Sequence, residues 1–241
     1  MPEQADWLAG RVAVVTGASR GIGQAAAQAI AKAGAHVVIA ARNDEGLEAT
    51  RGSIHKAGGQ ATVVSTDVSL SADVDRLFRA AEEIGRPAAL VCAAGVLTRA
   101  PFVETSCATW EQTLGVNLTG TFLCCRAAFA TMRRAREGRI LNIASLSGLY
   151  ATEKFPGLAA YNVSKYGVVG LTEAIAVEGK EFGISAICIS PGAVDTGMLR
   201  EANPDLRPGL QPRDVADLIV ALLDSPMAHM SGANIPLFSN A

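Results

Sequence analysis

The sequence predicts an α/β protein built on one doubly wound parallel sheet of about seven strands, flanked by helices. Three observations predict it. Short, nearly continuous apolar runs recur along the 241 residues, as strands covered on both faces require. Longer amphipathic stretches of helical period separate them. A glycine-rich turn joins the first apolar run to the first amphipathic stretch.

The strand runs, in order, are RVAVVTG (11–17), AHVVIAA (35–41), ATVVSTD (61–67), AALVCAAG (88–95), GRILNIAS (138–145) and ISAICIS (184–190). A seventh, ANIPLF (233–238), contains Pro236, which removes a ladder donor and predicts an edge strand. Helical patterns lie between them. GQAAAQAIAKAG ends at Gly34, a C-terminal stop. LSADVDRLFRAAEEIG has Ser71 as its N-cap, and Asp44 is read as the cap of the helix after the second strand. AAYNVSKYGVVGLTEAIAVEGKEFG (159–183) forms a long helix ending near Gly183, and QPRDVADLIVALLDS starts another at Gln211. No internal repeat or linker divides the chain, so residues 1–241 are read as a single domain. The turn-rich stretch 191–212 follows a strand's carboxyl end, where such sheets bind ligands, and is read as a substrate lid.

Composition removes several functional classes. The chain is 49% hydrophobic with a net charge of −2, so it can fill a core and offers no basic excess for nucleic acid or an anionic membrane. Arg133, Arg134, Arg136 and Arg139 are read as a solvated helix end before a strand. The opening MPEQADWLAG lacks a signal peptide's basic and apolar regions, and no apolar run reaches the roughly 18 residues of a membrane helix. Five cysteines without CxxC spacing and three scattered histidines predict no metal site and no disulfide, as in a cytoplasmic protein.

The turn TGASRGIG places Gly17, Gly21 and Gly23 between the first strand and the first helix. Glycines let the backbone approach a pyrophosphate, and the helix N-terminus supplies free N–H groups. That is the reading of a Rossmann-type dinucleotide site. An NAD site expects a carboxylate at the end of the second strand. Here Ala40 and Ala41 are followed by Arg42, and Arg20 sits inside the turn. Two guanidiniums suit a 2′-phosphate, so NADP(H) is favoured over NAD(H).

Far along the chain, YNVSK sets Lys165 four residues after Tyr161, on one helix face. With the glycine turn, this pair resembles the short-chain dehydrogenase/reductase family, and among its members the 3-oxoacyl-acyl-carrier-protein reductases. The resemblance runs from about Arg11 to Leu237 and rests on further motifs in order: Asp67-Val68, VNLTG with Asn117, NIASLSG with Ser145, and SPGAVDT. It implies cofactor contacts from Gly17, Ser19, Arg20, Gly21, Ile22, Gly23, Arg42, Asp67, Val68, Ala93, Ala94, Gly95, Tyr161, Lys165, Pro191, Gly192, Val194 and Thr196. Three departures stand out. Cys92 replaces the asparagine usual before Ala-Ala-Gly. The gap from Ser145 to Tyr161 is longer than usual and is filled by GLYATEKFPG. The C-terminal LFSNA lacks the common glycine pair.

The resemblance implies a catalytic set of Asn117, Ser145, Tyr161 and Lys165. Tyr161 would be general acid and base, its pKa of about 10 lowered by the Lys165 cation and by the oxidised nicotinamide. Ser145 rather than Ser147 would orient the substrate oxygen, and Asn117 would hold a water linking Lys165 to solvent. The function expected is an NADPH-dependent carbonyl reductase, working reversibly as an alcohol dehydrogenase. Its substrate is a small ketone, or a 3-oxoacyl thioester if Arg99, Arg200 or Arg207 forms a carrier patch. An NAD-dependent dehydrogenase of sugars, polyols or steroids is the alternative, and a non-catalytic NADP-binding regulator a third. The family also implies a homo-oligomer, a tetramer or a dimer, with Val168, Leu171 and Ile175 on the outer face of the long helix. Phe155, Met198 and Leu199 point to an apolar substrate pocket shaped by the insertion and the lid.

Overall fold

A computed structural model describes residues 7–152 and 154–239. Seven strands form one parallel sheet in the order β3-β2-β1-β4-β5-β6-β7. They are β1 (Val12–Thr16), β2 (His36–Ala41), β3 (Gln60–Ser65), β4 (Pro87–Cys92), β5 (Gly138–Ile143), β6 (Ile184–Pro191) and β7 (Asn234–Leu237). β7 lies at the edge, where Pro236 stands opposite Ser190. The helices are α1 (Gly21–Lys32), α2 (Asp44–Lys56), α3 (Ser71–Ile84), α4 (Cys107–Leu114), α5 (Gly120–Ala135), α6 (Ala159–Gly179), α7 (Gly197–Ala202) and α8 (Pro212–Asp224).

Alternation along β1 divides the core. Ala13 and Val15 face a layer built with α1, α2 and α8; Val12 and Val14 face one built with α3 and α5. Both faces are covered, which is why the strands read as continuous apolar runs. The chain reverses direction across the sheet between β1 and β4, whose ends Thr16 and Cys92 are register partners. A crevice opens at such a switch point.

Several details differ from the sequence reading. Asn43, not Asp44, caps α2, its side chain accepting from Gly46 N at 2.9 Å. Asp44 is the first helical residue, where its charge still favours the helix dipole. Ser71 likewise opens α3 as a helical residue, with Leu70 at the cap position. The carboxylate that closes this corner is Asp73, which accepts from Asp67 N at 2.9 Å. Arg139 is no part of a solvated helix end: it belongs to β5, and its guanidinium lies 3.8 Å from the centre of the Trp7 ring. Val168 is 1% exposed, because it faces Ala144 and Cys188 beneath α6. Leu171 and Ile175 are half-buried. The exposed apolar line of α6 is instead Val163, Tyr166 and Val177.

Candidate active site

The turn after β1 is built on close backbone approach. Gly17 has φ +67°, and a Cβ there would stand 2.7 Å from Ala93 C. A Cβ on Gly23 would stand 2.3 Å from Gly17 O, so helix and turn pack without room for any side chain. α1 starts from Arg20 in extended conformation, with no side-chain cap and no acid in its first turn. Its N–H groups therefore face the crevice unneutralised.

That crevice is a groove of about 430 Å³. Gly17, Ser19, Arg20, Gly21, Ile22, Gly23, Arg42, Asp67, Val68, Ala93, Ala94, Gly95, Tyr161, Lys165 and Thr196 all line it, along with Asn43, Thr66, Val96 and Met198. Asn43, Thr66 and Val96 each adjoin a residue read as a cofactor contact, and Met198, read as part of the substrate pocket, reaches the groove as well. Pro191, Gly192 and Val194, expected in the groove, line a second cavity instead. Pro191 ends β6, and Gly192 and Val194 follow it. The second cavity, about 610 Å³, also contains Ser145, Phe155, Met198 and Leu199. The two spaces share Ile22, Ala144, Tyr161, Thr196 and Met198, so they meet at the tyrosine.

The end of β5 and the face of α6 assemble the polar centre. Ser145 Oγ accepts from Ser147 N at 3.1 Å, and Ser145 lines the second cavity beside Tyr161. Lys165 is 5% exposed; its Nζ donates to Ile143 O at 2.9 Å and lies 5.7 Å from the centre of the Tyr161 ring. Burial pushes the lysine down to about 8, with the Cys188 and Cys92 thiols as its nearest acidic groups. Burial also pushes the Tyr161 hydroxyl above its ordinary value, and the Ser145 side chain pulls it back only in part. The lowering of Tyr161 expected from two cations, Lys165 and the oxidised nicotinamide, is therefore not what the protein's own groups produce: desolvation dominates, and Lys165 does not offset it.

Asn117 lines neither space. A π-helical turn, Gly115–Thr119, between α4 and α5 turns it inward to full burial. Its Oδ1 accepts from Val96 N at 2.8 Å, and its Nδ2 donates to Val96 O at 2.9 Å and Ser164 Oγ at 3.0 Å. Both amide hydrogens are therefore spent, one on the segment that follows Gly95 and the other on Ser164 of α6. Cys92 packs against Cys125, sulfur to sulfur 4.0 Å. Hydrogen bonding with Cys124 and Cys125, and then burial, push its thiol well up, so it stays protonated. Asn142 on β5 supplies the buried amide of this region, bonding Thr172 Oγ1 at 3.0 Å.

The far end of the groove carries Arg42, its Nη1 3.7 Å from Asp67 Oδ2 and its side chain 57% exposed. The Asp67 carboxylate is further engaged by Ser69, which donates from N at 3.0 Å and from Oγ at 2.6 Å. Arg20 Nη1 lies 3.8 Å from Glu201 Oε1 of α7.

A glycine-floored groove at a sheet switch point, opening onto half-buried Ser145 and Tyr161 above a buried Lys165, defines a nicotinamide-dependent oxidoreductase. The chain belongs to the short chain dehydrogenase family, whose model matches residues 11–207. A 3-oxoacyl-(acyl-carrier-protein) reductase of Synechocystis sp. is 35% identical over 92% of each chain. A solved protein of Beutenbergia cavernae, described as an NAD(P)-dependent gluconate 5-dehydrogenase with bound NADP, is 32% identical, covers 98% of each chain and has a TM-score of 0.89. A variant actinorhodin polyketide ketoreductase solved with NADPH is 30% identical over 95% of this chain and 96% of its own, at a TM-score of 0.88.

Proposed function

We propose that this enzyme is an NADPH-dependent carbonyl reductase that also oxidises the corresponding alcohol, with Tyr161 as general acid and base. One observation carries the reading: the groove and the second cavity meet at Tyr161, with Ser145 beside it in the cavity wall and Lys165 beneath it. The cofactor, when bound in the groove, supplies or receives the hydride. Ser145 orients the carbonyl oxygen toward Tyr161 Oη. Protonated Tyr161 delivers a proton to that oxygen during reduction and takes it back during oxidation. Lys165 keeps a positive charge below the hydroxyl and favours the phenolate that follows proton delivery. Asn117 holds the Gly95–Val96 segment beside the groove through two hydrogen bonds to Val96 and ties it to α6 through a third to Ser164.

Arg42 and Arg20 would receive a 2′-phosphate, since Ala41 leaves no carboxylate at the end of β2 to take a ribose hydroxyl. Fluorescence titration should show NADPH binding at least about tenfold tighter than NADH, a difference near 1.4 kcal/mol. Arg42→Ala should erase most of that preference. Tyr161→Phe should bind NADPH as the parent does and lose turnover by about a thousandfold. Equal binding of NADH would remove the NADPH preference. Undiminished turnover in Tyr161→Phe would remove the mechanism.

A carrier-borne 3-oxoacyl substrate is favoured by the Synechocystis relative's name. Against it, two of the three candidate carrier arginines are already engaged: Arg99 by Pro156 O and Ala202 O, Arg200 by Asp195. The same proposal includes a cytoplasmic homo-oligomer. Its five free cysteines suit a reducing compartment, and among the described residues no helix is long and apolar enough to cross a membrane.

A further inference from the structure

We infer that the substrate is a bulky, predominantly apolar ketone and that polyhydroxylated keto acids are poor substrates; the inference rests on the carbonyl-reductase reading and narrows it. The second cavity is large enough for a two-ring or medium-chain compound. Its walls come from three places. Leu146 follows β5, Phe155 and Leu158 come from the insertion before α6, and Met198, Leu199 and Leu206 come from the lid. These side chains surround the space beside Ser145 and Tyr161 with apolar surface.

The polar groups of the cavity are mostly committed to the protein itself. Thr152 Oγ1 donates to Leu146 O at 2.6 Å and Thr196 Oγ1 to Val194 O at 3.3 Å. Ser239 Oγ accepts from Ala193 N at 3.0 Å. Arg99 is the one charged side chain among the described lining residues. Its Nε donates to Pro156 O at 3.1 Å and its Nη1 to Ala202 O at 3.3 Å, which ties the insertion to α7 and holds the walls together. A ketone needs a pair of polar groups, and Ser145 and Tyr161 provide it. A sugar acid would bring in several more hydroxyls and a carboxylate, and most would lose water without gaining partners. An apolar body loses nothing on entering and gains burial.

The test compares three probes at saturating NADPH: 1-decalone, 3-oxooctanoyl-N-acetylcysteamine and 5-ketogluconate. The better of the two apolar probes should exceed 5-ketogluconate in kcat/KM by about 100-fold or more. Decalone in the lead assigns a free ketone, and the thioester in the lead assigns a carrier-borne chain; both support the inference. Leu199→Ser and Leu206→Ser should raise KM for the favoured probe while NADPH affinity is unchanged, since neither residue lines the groove. A keto acid reduced as well as the apolar probes overturns the inference. Binding of the same probes to NADPH-loaded Tyr161→Phe, read by thermal shift, separates the pocket from the chemistry. Saturable binding of an apolar probe alone, with no turnover by the parent enzyme, keeps the pocket assignment and removes the reductase reading. Failure of both apolar probes to bind removes the pocket assignment.

Discussion

Burying a lysine under a tyrosine costs free energy that the cofactor-free protein must carry. Lys165 titrates at about 8 in the folded chain against 10.5 for an ordinary lysine. Between those values the unfolded chain binds more protons than the folded one, so stability rises with pH across that window. Above 10.0 the elevated Tyr161 acts the other way, because the unfolded tyrosine ionises first and stability falls. The cofactor-free enzyme should therefore gain thermal stability from pH ~8 to ~10, toward a limit of about 3 kcal/mol from this lysine. Lys165→Met should remove that rise and stabilise the protein near pH ~7, with loss of activity. Parallel pH profiles for the two proteins would mean that Lys165 is not held in a desolvated place. The identity of this residue was legible in the sequence, because Tyr161 and Lys165 stand one helical turn apart and Ser145 ends a strand. Its energetics were not. The balance between a neighbouring cation and desolvation depends on burial, and spacing says nothing about burial.

Elements were legible to the extent that local chemistry sets them. The strands follow from their apolar runs, and α1 stops where Gly34 takes φ +91°. Helix starts were displaced by one residue at Asp44 and Ser71: Asn43 takes the cap that Asp44 could also form, and at α3 Leu70 holds the cap position without any side-chain cap bond, which residue type could not announce. The π-helical turn around Asn117 left no sequence signal, since its cause is the tertiary clamp on Val96. The joining of insertion and lid was equally hidden, as it runs through side-chain bonds to backbone carbonyls far along the chain. Arg99 is the positioning residue of that join, helped by Ala100 N donating to Gly157 O at 3.0 Å. Removing two such bonds with Arg99→Ala should raise KM for a ketone about tenfold, with kcat nearly unchanged. Arg99→Lys should recover part of the loss, because an ammonium can reach one carbonyl and lacks the fork for two. NADPH affinity should not move in either variant. A fall in kcat with constant KM would assign Arg99 to the chemistry instead.

At the scale of the whole molecule, the parallel sheet followed from alternating strands and helices, while its strand order came only from the structure. Association follows less directly, since it depends on which helix surface the monomer leaves open. α6 was expected to present Val168, but that residue packs inward, and the open line is Val163, Tyr166 and Val177, exposed by 45%, 40% and 78%. On the neighbouring α5, Phe122 is 43% exposed with the Arg126 guanidinium 5.4 Å from its ring centre. Two adjacent helices thus share an apolar stripe, and a stripe of this kind usually marks a contact surface. A two-fold arrangement would set the stripe against its own copy, burying the apolar positions without requiring a complementary charge pattern. Light scattering on the eluting protein should give the mass of a dimer or a tetramer. Val163→Glu combined with Val177→Glu should place carboxylates in the contact and shift the mass toward the monomer, while the circular dichroism spectrum is retained. Neither residue lines the groove or the second cavity, so NADPH binding should survive the dissociation. A monomeric parent protein would remove the contact altogether, and a double variant with unchanged mass would move it to another surface.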